Sequence, residues 1–502
     1  MMMSQRTTIQ GEVIGFNEIL HGKKAIHCWT NAIQAAMVPQ PLDLSAYLGL
    51  EVSVSGTLQE DLWLAWLEGV ESEETPIQIT GKVVGLNQIY SGGREITCYR
   101  HGMVEAFHMP LNLMDYMDET MTVAGILRGT TLYRASIVSV PERETGMDAN
   151  KEATSLNDLL RIRAANREQI EAINGNLGTA LGYKWTNGQR TNHPCIMIFV
   201  PQKLNPALVP PSEREPDVLE GPDGMWCLTD VVTGGKKESL ADIDPLPPLS
   251  QENQDVIDEL RSGNIGLIGG IQLAFYEGGI QQPSNAFVGT AGIAVRHRET
   301  KKVGFLTNQH VADEPGRTIY HPRHLNARLG FTKRVRTRVT DAAWYQGVID
   351  ESFSSVRCDC AFVQVSDALQ SLVKPGLHVI GNTGSVLPIN PDTMDIIGQK
   401  VISIGRTRGV QRGTIVAYAY EFQDDFFSRY TDLLIIGEEG KVFSWKGDSG
   451  KVIVTDDAEL RPVALLWGGW QERLRKGREQ EMWSYAIDLG KILDLLNLDV
   501  LV

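Results

Sequence analysis

The stretch WKGDSGKVIV, residues 445–454, decides how this chain is read. Ser449 lies between Gly447 and Gly450, in a turn that runs straight into an apolar, β-branched segment. Glycine lets a backbone approach closely and take φ values that other residues avoid. Such a turn can aim the N–H groups of Gly447 and Ser449 at one point, which makes an oxyanion hole. G-D-S-G is a short string, and alone it does not fix a function.

Two further segments change its weight. GFLTNQHVAD at 304–313 carries an apolar strand towards His310, and RCDCAFVQV at 357–365 sets Asp359 at the mouth of another. Taken singly, a histidine after a strand is usually structural, and an aspartate before one is usually a turn or cap residue. Together they run His310, Asp359, Ser449, each at a strand edge in a β-rich region. That is the chymotrypsin order, distinct from those of subtilisin and the α/β-hydrolases. The expected chemistry is a triad. His310 is the base, Asp359 orients it and Ser449 is the nucleophile, with no metal or organic cofactor required.

Composition fits a multidomain globular chain. It has 502 residues, 42% hydrophobic and 22% charged, with a formal charge of −15. No apolar run is long enough to span a membrane, and the start MMMSQRTTIQGEV lacks a signal-peptide pattern. The six cysteines (Cys28, Cys98, Cys195, Cys227, Cys358 and Cys360) match no zinc spacing and read as buried thiols, which suggests a reducing cytoplasm. The negative charge argues against nucleic acid as a partner. The basic stretch RLRKGR at 473–478 reads as a solvated loop.

The chain opens on an internal repeat. GEVIGFNEI at 11–19 reads against GKVVGLNQI at 81–89, AIHCW at 25–29 against EITCY at 95–99, and PLDLSAY at 41–47 against PLNLMDY at 110–116. Trp29 and Tyr99 are equivalent, as are Tyr47 and Tyr116. In the first copy the pattern predicts strands at about 9–19, 24–30 and 33–39, a helical segment at 43–49, then strands at 51–58 and 62–69. That succession suits a small OB-like barrel. A core or protein-contact role for its aromatics is favoured over nucleic-acid stacking.

A polar linker follows at about 139–155, then a helix near 156–174, an apolar strand CIMIFV at 195–200, and a loop-rich stretch from 203 to 250. A second helix is expected near 251–262. From 285 strands are expected at 289–297, 302–308, 360–366, 400–405, 413–420, 431–436, 451–455 and 462–467, closing on an amphipathic helix at 486–498. The expected organisation is OB-like repeats at 1–70 and 71–140, a linker and small α/β lead-in at 141–285, and a protease domain at 286–502.

Residues 289–502 resemble the trypsin-like peptidases. More closely, 155–502 resembles the plant NARROW LEAF proteins and their bacterial relatives. The resemblance rests on PCIMIFVPQKL (194–204), VLEGPDGMWC (218–227), VGFLTNQHVA (303–312), GQKVISIGRTRG (398–409), RGTIVAYAYE (412–421), WKGDSGK (445–451), LLWGG (465–469) and WSYAIDLGKILDLL (483–496). It implies a mainly β protein with a chymotrypsin-like double β-barrel and a C-terminal helix, and it places the family's triad on His310, Asp359 and Ser449. It also implies a substrate pocket with Phe443 at its floor, Trp467, Gly468 and Gly469 along its wall and Trp483 near its entrance. That pocket would take a small or medium apolar residue.

Two departures stand out. Lys451 replaces the glycine that follows G-D-S-G in most trypsin relatives. Asp448, in secreted relatives the partner of a new N-terminus after cleavage, needs either an internal partner or a processing step. The functional expectation is a serine endopeptidase acting on protein or peptide, with the N-terminal repeats recognising a substrate or a trigger protein. A dormant protease fold used as a scaffold, and a nucleic-acid sensor with a protease effector, stay open as alternatives. So does assembly into a homo-oligomer.

Overall fold

The computed structural model describes residues 6–30, 41–42, 44, 51–70, 77–99, 110–111, 113, 116–117, 119–139, 147–173, 175–186, 189–201, 216–234, 249–276, 286–339, 342–345, 354–424, 427–438, 442–474 and 481–502. The chain divides into two compact units, 1–144 and 145–502.

The first unit holds two closed five-stranded barrels. In one, Arg6–Gly15 pairs with Glu18–His21, which pairs with Lys24–Trp29. Lys24–Trp29 runs parallel to Leu62–Val70, and Glu51–Leu58 closes the ring between Leu62–Val70 and Arg6–Gly15. The strand order 1-2-3-5-4-1 is that of an OB barrel. The second barrel, built from Ile77–Gly85, Gln88–Ser91, Arg94–Cys98, Thr120–Arg128 and Thr131–Ser139, has the same order. Each closes on its own small core, around Ile19, Val52 and Leu62 in one and Val83, Ile89 and Leu132 in the other. The barrel strands differ from the sequence expectation at one place. The run expected at 9–19 is broken into two strands by a tight turn at Phe16 and Asn17. The expected strand at 33–39 and most of the helical segment at 43–49, with Tyr47, lie outside the described residues.

The second unit contains two closed antiparallel rings of six strands. Around the first ring, Gln272–Tyr276 pairs with Ala286–Thr290, which continues after a two-residue break as Ile293–His297. Then come Val303–Thr307, Ser354–Val365, Arg328–Val339 and Thr318–Tyr320, which returns to Gln272–Tyr276. The second ring runs Lys400–Gly405, Gly409–Asp424, Phe427–Gly437, Glu481–Asp488, Pro462–Leu474 and Val452–Thr455, back to Lys400–Gly405. This is the chymotrypsin-like double barrel. Closure leaves neither ring an unpaired edge.

The first ring begins at Gln272, ahead of 286. Gln272–Tyr276 is buried along its whole length, so it shows no alternation by which a sequence reader would find it. Arg328–Val339 also went unexpected. Register shifts between Thr332 and Arg334 and between Arg336 and Arg338 break its period of two.

A lead-in sheet joins the second ring. The hairpin Gly178–Thr186 and Gln189–Val200 pairs with Gly409–Asp424 on one side and, in parallel, with Trp226–Gly234 on the other. The helix Leu156–Ala165 starts on a capping box, Ser155 with Asp158. The helix Gln251–Ser262 falls where the pattern predicts it. At the far end Asp488 caps the helix Leu489–Leu496, after which Leu498–Val500 crosses to pair with Ile293–His297 of the first ring. The C-terminus therefore ties the two rings together. No described helix is long and apolar enough to cross a membrane.

Limited proteolysis of the full chain should cut first between about 139 and 155, where polar sequence joins two separately cored units. Digestion of both N-terminal barrels before any cut in that segment would contradict the division.

Candidate active site

Strand register brings His310 and Asp359 together. Thr307 lies opposite Ala361 across antiparallel strands, so residues just after Thr307 meet residues just before Ala361. His310 sits on the single turn Gln309–Ala312, and Asp359 within Ser354–Val365. The His310 ring Nδ1 lies 2.8 Å from Asp359 Oδ2, and the His310 main-chain N–H donates to Oδ1 at 3.3 Å. Asn308, wholly buried, donates its amide to the Asp359 carbonyl at 2.7 Å and locks the turn onto the strand. Arg357 Nη2 donates to Asp359 Oδ2 at 3.5 Å.

The Asp359 side chain is 3% exposed and the His310 ring 43%. Burial pushes the Asp359 carboxyl up, but the hydrogen bond and charge of His310, with Arg357, outweigh it and hold the group below its ordinary value. An ionised carboxylate only accepts hydrogen bonds, so the ring nitrogen facing it must carry the proton. In the neutral ring Nε2 is then left as the acceptor, the tautomer a base needs.

The nucleophile turn is fastened to the first ring through Thr290. The Thr290 N–H donates to the Ser449 carbonyl at 2.9 Å, and its hydroxyl to the Gly447 carbonyl at 3.0 Å. The Thr290 carbonyl accepts from the Thr307 hydroxyl at 2.8 Å, three residues ahead of His310. Gly450 has φ +93°, and a Cβ there would stand 2.2 Å from Thr307 Oγ1 and 2.4 Å from the Thr290 carbonyl. No other residue fits. Gly447 has φ +95°. Among the described residues, hydrogen bonds join His310 to Asp359, and none joins His310 to Ser449.

Asp448 finds its partners inside the chain. Its carboxylate, fully buried, accepts from the N–H groups of Thr407 at 2.9 Å, Arg408 at 3.2 Å and Trp445 at 3.0 Å. Lys451, equally buried, lies beside it, donates to the Phe443 carbonyl at 2.6 Å, and sits 4.3 Å from the centre of the Phe443 ring. Gly405 makes the space. A Cβ there would meet Asp448 Oδ1 at 2.5 Å and Lys451 Cδ at 3.1 Å. Lys451 thus replaces the small residue of trypsin relatives with a buried cation under the nucleophile turn.

Two expected pocket residues are placed elsewhere. Phe443 is wholly enclosed and offers no floor. Its ring packs over the bare Cα of Gly413, where a Cβ would come within 2.8 Å of it. Trp483, 2% exposed, stands edge-on to Phe199 of the lead-in sheet at 5.2 Å and is core, not an entrance. Trp467 keeps 9% exposure, with Nε1 donating to Thr431 Oγ1 at 2.9 Å and the Arg357 guanidinium 4.1 Å over its ring. Gly468 leaves open space, a Cβ meeting only Tyr485 at 3.6 Å, whereas Gly469 is pressed against the Trp483 carbonyl. All six cysteines are buried and free. Of the basic stretch at 473–478, residues 475–478 lie outside the described residues.

Thr290, Asn308 and Arg357 shape the site although the sequence reading assigns them no role, and Lys451 stands out there only as a departure. Arg357 had a signal. It stands two residues before Asp359 on one strand, and side chains two apart share a face.

Burial, partly offset by Asp448 and reinforced by Arg408, pushes the Lys451 ammonium down to about 8 from an ordinary 10.5. Between those values the unfolded chain holds a proton that the folded chain has lost. The contribution of Lys451 to stability is therefore full above 10.5, falls as pH drops, and is gone below about 8. The unfolding free energy of the wild type should gain on Lys451→Met from pH 8 to pH 10, by at most about 1.4 kcal/mol per pH unit. Parallel pH curves for the two proteins would contradict the burial of a titrating amine.

The chain is similar to several known proteins. Residues 250–502 match the Nal1 C-terminal domain, and residues 151–232 the NARROW LEAF 1 N-terminal domain. Protein NARROW LEAF 1 of Oryza sativa subsp. japonica is 32% identical over 385 residues, covering 72% of this chain. The chain spans 63% of that relative's length. A probable serine protease of Bradyrhizobium tropiciagri is 31% identical over 140 residues, 25% of this chain and 17% of the relative. Among solved structures, Thermobifida fusca protease A aligns at 16% identity and a TM-score of 0.31 over 47% of this chain and 100% of that one. Cellulomonas bogoriensis chymotrypsin aligns at 19% and 0.30, over 47% and 99%. With its C-terminal half matched from end to end and its lead-in sheet matched separately, the chain belongs to the NARROW LEAF 1 family.

Proposed function

We propose that this protein is a serine endopeptidase in which His310, Asp359 and Ser449 act as a triad. The observation that carries the reading is the buried Asp359 carboxylate, bonded to both the ring and the main chain of His310 beside the Gly447–Gly450 turn. In the first step Ser449 Oγ attacks a peptide carbonyl while its proton passes to His310 Nε2. Asp359 stabilises the imidazolium, and the N–H groups of Gly447 and Ser449 receive the oxyanion. His310 then gives the proton to the leaving amine, so the C–N bond breaks and an acyl-enzyme remains. Water, deprotonated by the same ring, releases the acid. Asp448 already has three main-chain donors, so the site needs no cleavage of the chain to form. The N-terminal barrels serve substrate or trigger recognition in this reading.

A dormant scaffold is the second reading. It is favoured by one observation, the complete enclosure of Phe443 where an open pocket floor was expected.

Turnover of a peptide substrate by the unprocessed chain should fall on the order of 10⁴ to 10⁶ in Ser449→Ala and about 10⁴ in Asp359→Asn, with thermal unfolding little changed for Ser449→Ala. An asparagine amide in place of the carboxylate admits the wrong imidazole tautomer. Wild-type turnover in the serine variant would sink the assignment. Peptide hydrolysis that begins only after the chain is cut would overturn the claim about Asp448.

A further inference from the structure

The chain carries a charge of −15, yet the strand Arg328–Val339 bears Arg328, Lys333, Arg334, Arg336 and Arg338 and no acid. The register shift between Arg336 and Arg338 sets Arg338 directly opposite Arg357 on the strand that holds Asp359. Like charges facing each other across a sheet repel. Arg338 is exposed and has no ion-pair partner among the described residues. Among the described residues Arg357, 37% exposed, has one ion-pair partner, Asp359, whose carboxylate is already engaged by His310.

Between these groups lies a cavity of about 160 Å³, lined by Gln309, Thr337, Arg338, Ser355, Arg357 and Asp359. A water takes about 30 Å³ of liquid, so the space admits a carboxylate-bearing side chain. Its lining includes two arginines, two hydroxyl residues, a glutamine and a single acid, and that acid is already bonded to His310. The Arg357 guanidinium carbon lies over the Trp467 ring, 4.1 Å from its centre, and Trp467 is itself fixed through Thr431. A planar, pre-oriented guanidinium is suited to a carboxylate, because its donors match both oxygens and little side-chain freedom is lost on binding.

We infer that Arg357 and Arg338 form a substrate subsite beside His310 and Asp359 that selects an acidic residue of the peptide, close to the scissile bond. The inference rests on the peptidase reading for what the bound peptide is. The cation pair chooses among peptides, and the triad acts on the one chosen. The subsite also supplies the specificity that an enclosed Phe443 does not. Arg357 touches Asp359 and belongs to the site itself, so Arg338 is the residue to vary.

The test uses full-length Ser449→Ala protein and fluorescein-labelled neutral peptides in which one Glu is moved position by position, each paired with its Gln counterpart. Fluorescence anisotropy gives the affinities. At one or two adjacent positions Glu should bind about tenfold tighter than Gln, and more weakly as salt rises. The Glu preference should vanish in Arg338→Gln and turn into a preference for Lys in Arg338→Glu. Glu and Gln peptides that behave alike at every position, including failure of both to bind, would overturn the subsite. So would a Glu preference that survives Arg338→Glu. Fluorophosphonate labelling of the wild type separates the two claims. Labelling without Glu preference removes the subsite alone, and Glu preference without labelling removes the peptidase reading while the subsite stands.

Discussion

A carboxylate buried beside an exposed imidazole governs the site. Stripping Asp359 of water would cost several kcal/mol if nothing replaced the lost hydration. The fold replaces it with the His310 ring, the His310 main-chain N–H and the more distant Arg357. The three donors come from two constraints. The ring and the amide depend on the turn that Asn308 clamps to the strand, and Arg357 on the period of two along Ser354–Val365. Loosening any one would leave part of a charge unpaired, so the first ring, its register and the tautomer of His310 stand or fall together.

The second ring meets this arrangement through close backbone contact. Glycines do the work that disulfides do in secreted proteases. Gly450 lets the nucleophile turn lie against Thr290 and Thr307, Gly447 lets it pass close to Arg406 and Thr407, and Gly405 opens room for Asp448 and Lys451 beneath it. Three main-chain donors on Asp448 hold the turn from below. With the C-terminal strand crossing back to the first ring, the two halves are braced by chain connectivity, and all six cysteines stay free.

Much of this was legible in the sequence, and the exceptions have physical causes. His310, Asp359 and Ser449 stood out because each sits in a short motif beside an apolar run. The helix Gln251–Ser262 was readable because its apolar positions recur at helical spacing under a serine cap. Gln272–Tyr276 was hidden by burial on both faces, and Arg328–Val339 by bulges that reset its alternation. Phe443 and Trp483 lie in the core and not in a pocket, because a family resemblance gives a position along the chain and cannot tell a pocket wall from a core. Lys451 was noticed as a departure, but only packing shows that it is a buried cation beside Asp448.

Covalent labelling tests the central claim most directly. The intact, unprocessed protein is incubated with a fluorophosphonate, digested, and mapped by mass spectrometry. One adduct per chain, on Ser449, that forms far more slowly in His310→Ala and Asp359→Asn, is the expected result. An unlabelled Ser449 in a folded protein, or labelling that is indifferent to both substitutions, would contradict a triad built on the Asp359–His310 pair.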